Sequence, residues 1–62
     1  MATLRYFEGN KAVEIIGTQT ELFKKASELH SNGVAHTWME FEDGQTMHAW
    51  TNEFGGVDFR YE

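Results

Sequence analysis

Imidazole is the side chain best able to move a proton or ligate a metal near neutral pH, and this chain carries three, at His30, His36 and His48. It has no cysteine. No Gly-rich phosphate loop and no serine in a nucleophile elbow is present either, so catalysis would have to combine a histidine with a carboxylate. Glu40 and Glu42, two apart on a strand, would stand roughly 6.5 to 7 Å from each other, a spacing that suits paired carboxylates. In a chain too small to enclose a sugar they read instead as the wet side of a strand. Gly55-Gly56 precedes no helix, so it reads as a turn and not as a phosphate cradle.

Whether the histidines can meet depends on the elements that carry them. Thr3 to Glu8 and Lys11 to Ile16 flank Gly9-Asn10, a two-residue turn that supplies a positive φ. The implied register sets Glu8 against Lys11, Tyr6 against Val13, Arg5 against Glu14 and Leu4 against Ile15, pairing opposite charges and apolar groups. One face collects Leu4, Tyr6, Val13 and Ile15, and the other Arg5, Phe7, Ala12, Glu14 and Ile16. Thr18-Gln19-Thr20-Glu21 fits a capping box that opens a helix. Leu22, Phe23, Ala26 and Leu29 form its apolar stripe, with His30 at the edge and Gly33 placed for a left-handed C-terminal residue.

Val34 to Thr51 alternates with period two around Asp43-Gly44, which reads as a two-residue hairpin turn. Counting outward from that turn opposes Phe41 to Thr46, Met39 to His48 and Thr37 to Trp50 on a face suited to covering the helix. The outward face then pairs Glu42 with Gln45, Glu40 with Met47, Trp38 with Ala49 and His36 with Thr51. On this register His36 and His48 fall on opposite sides of the sheet and share no metal, His48 being a core-edge residue and His36 a surface one. Val57 to Glu62 forms a last strand after the Asn52 to Gly56 loop, with Asp58, Arg60 and Glu62 on one side. The expectation is an α+β fold, one domain over residues 1 to 62, with element order ββαβββ and one helix laid across an antiparallel sheet.

With 62 residues, no cysteine and 40 % hydrophobic content, the chain has material for one core, and packing alone must stabilise it. No apolar run approaches the ~20 residues that span a bilayer, and Met1 to Asn10 lacks a basic head and an apolar stretch, which points to a cytoplasmic protein with no membrane contact. The net charge is −5 and it is unevenly placed. Bases and acids balance up to Ala35, whereas beyond it Arg60 alone faces Glu40, Glu42, Asp43, Glu53, Asp58 and Glu62. That distribution opposes direct nucleic-acid binding, which calls for a basic stripe, and favours a basic protein partner.

The constellation that stands out is the expected outward face: Trp38 beside Met47, ringed by His36, Glu40, Glu42 and Gln45, with Asp58 and Glu62 added if the last strand joins the same sheet. An aromatic anchor inside a charged rim is how protein interfaces are commonly built. The leading expectation is therefore a non-enzymatic inhibitor or regulator, with no cofactor and no metal, whose acidic face occupies the basic nucleic-acid-binding surface of a partner. In size, acidity and lack of cysteine the chain is similar to small phage proteins made against host nucleic-acid machinery, such as anti-CRISPR proteins and DNA mimics. That likeness covers composition and no residue pattern. Two other classes compete: a homodimeric or accessory subunit that buries the sheet edge or Trp38, and a single-strand-binding module stacking bases on Trp38, Phe7 or Trp50.

Overall fold

A computed structural model describes residues 1 to 62. Gly9, at φ 63°, lets β1 (Ala2–Glu8) and β2 (Lys11–Gly17) close through Gly9-Asn10, and the strands pair in the expected register, with Glu8 opposite Lys11 and Leu4 opposite Ile15. Glycine at the first turn position accepts the positive φ without a Cβ clash. Helix α1 (Gln19–Ser31) starts where Thr18, in extended conformation, accepts a hydrogen bond at Oγ1 from the Glu21 N–H at 3.2 Å. It ends in a Schellman arrangement. The Val34 N–H donates to the Leu29 carbonyl at 3.0 Å and the Gly33 N–H to the His30 carbonyl at 3.2 Å, with Gly33 at φ 98°.

Three further strands, β3 (His36–Glu40), β4 (Thr46–Thr51) and β5 (Val57–Tyr61), complete an antiparallel sheet of order β2-β1-β3-β4-β5. With one helix across it, the chain is an α+β fold in the order ββαβββ. The helix packs over β1 and β2, and Leu22 joins Ala2, Leu4 and Met39 in a core flanked by Ile15, Ala26, Leu29 and Phe41. Thr37, Met47 and Ala49 are also buried on the helix side.

The second hairpin corrects the expected register by one residue. Met39 lies opposite Met47, Trp38 opposite His48, and His36 opposite Trp50. No residue other than glycine has positive φ, so Asp43 cannot take the first position of a two-residue turn of the Asp-Gly kind. Instead Glu42, Asp43 and Gly44 form a three-residue loop: the Gly44 N–H donates to the Phe41 carbonyl at 3.1 Å, and the Phe41 N–H to the Gln45 carbonyl at 2.8 Å. Gly44, at φ 87°, provides the left-handed residue that such loops need, and Asp43 Oδ1 accepts from the Gln45 N–H at 3.0 Å. Adding one residue to the loop turns β4 over, because side chains alternate with period two.

Candidate aromatic and histidine face

The turned-over β4 places Met47 in the interior, 5 % exposed, and removes it from the candidate contact surface. In exchange His48 and Trp50 join Trp38 and His36 on the sheet face that carries no helix. Glu42 and Gln45 also leave this face. Both belong to the loop end of the hairpin, and Glu42 is ion-paired with the amino group of Met1. Glu40, Asp58 and Glu62 remain with Trp38 and His36 as expected. Arg5 and Phe7, expected on the second face of the first hairpin, and His48 and Trp50, expected on the core face of the second, therefore belong to the site. The composition of β4 gives a divided signal: Met47 and Ala49 are apolar where Thr46 and His48 are polar, but Trp50 is apolar where Thr51 is polar.

Strand pairing arranges the face in rows. Glu14, Arg5, Trp38, His48 and Arg60 lie opposite one another across all five strands. A second row runs through His36, Trp50 and Asp58, with Phe7 beside it, and a third through Ile16, Thr3, Glu40 and Thr46. The Thr51 N–H donates to the Ala35 carbonyl, and the Phe41 N–H to the Gln45 carbonyl, so the odd-numbered residues of β3 carry its hydrogen bonds to β4. The His36–Trp50 and Trp38–His48 pairs are then the non-hydrogen-bonded kind, whose side chains approach more closely.

The rings consequently form one array. Trp38 is 5.6 Å from Phe7 and 5.2 Å from His36, while His36 lies 4.8 Å from Trp50 with ring planes within 3°. His48 is 5.4 Å from Trp50. His36 and His48 meet edge to edge: their ring planes differ by 15°, and Nε2 of His36 is 3.0 Å from Nδ1 of His48. His48 Nε2 in turn lies 3.3 Å from Glu62 Oε1.

Proton bookkeeping fixes the direction of this chain. The Glu62 carboxylate is an acceptor, so His48 donates from Nε2; in the neutral pair its Nδ1 then accepts from the Nε2–H of His36. His36 has its pKa lowered from the ordinary 6.5, first by burial, then by the positive charge of His48 and of His30. At the other end of the row the Arg5 guanidinium donates from Nε to Glu14 at 3.0 Å and lies 3.6 Å from Glu40. The Glu14 hydrogen bond leads the raising of its pKa above an already high value.

His30 is separate from this array. It is buried between helix and sheet, with Nδ1 2.8 Å from Thr51 Oγ1 and Nε2 3.0 Å from Thr37 Oγ1. The Thr51 hydroxyl donates to the Val34 carbonyl at 3.0 Å, so it accepts from His30 Nδ1–H, and Nε2 is left to accept from Thr37. Every buried side-chain polar atom has a partner, which makes His30 a strut.

Chemically, the open face offers stacking surface, carboxylates and a histidine pair with one carboxylate behind it. Two imidazole nitrogens converge, with no third ligating side chain beside them; no group of three His, Cys, Asp or Glu residues is placed to hold a metal ion. The Glu62–His48–His36 chain ends on an imidazole between two indoles, with no hydroxyl or thiol to activate. No helix is long and apolar enough to cross a membrane. No family model matches the chain, and neither the curated proteins nor the solved structures contain a match to it.

Proposed function

We propose that the protein is a small binding module, acting as an inhibitor or regulator, which docks the open face of its sheet onto a basic protein surface. The observation that supports this reading is the composition of that face. Phe7, Trp38, His36 and Trp50 make a continuous aromatic centre, and Glu14, Glu40, Asp58 and Glu62 surround it, against Arg5 and Arg60. Arg5 is shared between Glu14 and Glu40, and the four carboxylates outnumber the two guanidiniums, so the rim is acidic toward an incoming surface. Aromatic groups in the centre supply contact area at low entropic cost, and the carboxylates steer a positively charged partner. A partner that handles nucleic acid presents such a surface, and carboxylates on a rigid sheet can stand in for phosphates there. The same ring array could stack bases, but that use needs cations beside the rings, and here carboxylates outnumber them.

Titrating isotope-labelled protein with a Lys/Arg-rich peptide at low salt tests the proposal. The indole N–H signals of Trp38 and Trp50 should shift, and the effect should fade as salt rises and on Glu40→Gln with Glu62→Gln. Shifts on adding an unstructured oligonucleotide instead would transfer the face to nucleic acid. Silence with both probes would remove the docking role.

A further inference from the structure

The helix lies mainly over β1 and β2 and leaves β5, at the far edge of the sheet, largely exposed. There, Phe59 and Tyr61 of β5 are 60 % and 62 % exposed on the helix side, beside a cavity of about 100 Å³ whose walls include Val57, Phe59 and Phe23. β5 is also an edge strand. The Asn52 N–H donates to the Gly56 carbonyl at 2.9 Å, and the Glu62 N–H to the Thr46 carbonyl at 2.8 Å, so even-numbered residues of this segment bond inward to β4. By alternation, the N–H and C=O groups of Val57, Phe59 and Tyr61 point away from the sheet, without strand partners.

We propose that these groups pair with a second copy of the chain: β5 joins β5 of the partner antiparallel about a two-fold axis at Phe59, extending the sheet to double width. Three features of the strand fit a self-pairing. An antiparallel pair centred on Phe59 opposes Phe59 to the partner's Phe59 and Val57 to the partner's Tyr61, so the residues with free backbone groups fall in the hydrogen-bonded positions. Asp58 then faces the partner's Arg60, and Arg60 the partner's Asp58, in the closer non-hydrogen-bonded positions. Arg60 makes no ion pair within its own chain, and Asp58 is held only by the Asn52 side chain at 3.3 Å. The opposite edge is a poorer match. Pairing β2 with itself about its central residue sets Glu14 against the partner's Glu14, two carboxylates face to face. A chain of 62 residues also gains from burying its bare aromatic side chains against a second copy.

Sedimentation velocity over a dilution series tests the pairing, with circular dichroism confirming that each variant is folded. The wild type should show a monomer–dimer equilibrium. Asp58→Arg and Arg60→Asp should each replace two attractive pairs by two repulsive ones and raise the dimer Kd on the order of tenfold to a hundredfold. Mixing the two single variants should restore a dimer, as should the double exchange in one chain, because opposite charges again face across the axis. A wild type that stays monomeric to its solubility limit would overturn the proposal. So would a dimer indifferent to both single substitutions, a mixture that fails to reassociate, or a dimer lost on Trp38→Ala and not on the charge reversals.

Discussion

The two faces of the sheet each carry histidine, and they use it in opposite ways. On the covered face the buried His30 has both nitrogens committed to threonine hydroxyls between helix and strands. Its orientation is fixed by an unbroken donor and acceptor sequence ending on the Val34 carbonyl. On the open face His36 and His48 bond to each other, and His48 leans on one exposed carboxylate. Burial makes the difference. Where water is excluded, a polar group must have every partner supplied by the protein; where it is admitted, solvent can supply part of them.

Substitutions on the two faces should separate accordingly, and thermal or urea unfolding is the measurement for each. Leu4→Ala, at the fully buried centre of the covered face, should cost about 2 to 5 kcal/mol and leave little folded protein in a domain of this size. His30→Leu comes next at about 1 to 3 kcal/mol, since it strands the buried Thr37 hydroxyl and removes a partner of Thr51. Gly44→Ala should cost about 1 kcal/mol through its positive φ, and it reports whether the three-residue loop sets the register. On the open face Trp38→Ala should cost less than either covered-face change while abolishing the peptide-induced shift of the Trp50 indole. A loss as large as that of Leu4→Ala would erase the distinction between the faces and place Trp38 in the core.

The smallest expected effect is on pH dependence. Because His36 has a lower pKa folded than unfolded, the unfolded chain binds more protons between the two values. Its contribution to stability is therefore complete above the unfolded pKa of 6.5 and is lost as the pH falls through the lowered folded value. Unfolding midpoints measured from pH 8 downward should decline through that window in the wild type and less in His36→Gln. A stability that rises on acidification would contradict the assignment of His36 as the group kept neutral.

Local chemistry read from adjacent residues accounts for much of this molecule. Gly9-Asn10 sits between runs whose charges and apolar groups match in one register, Thr18 and Glu21 are three apart at a helix start, and Gly33 follows the last helical turn; each is decided within a few residues. They specified the first hairpin and the helix. Asp43-Gly44 is different, because an Asp-Gly pair fits the centre of a two-residue turn and equally the last two positions of a three-residue loop. The two choices differ by one residue in register and present opposite faces of β4. Packing chose between them: the helix side takes in Met47 and Ala49 beside Thr37 and Met39 and leaves the broad indole of Trp50 and the polar His48 outside. Sequence thus determined where the turns, the caps and the surplus of negative charge lie. Only the tertiary structure decided which histidines meet, because that depends on the parity of a single loop, and parity is settled by what the helix can cover.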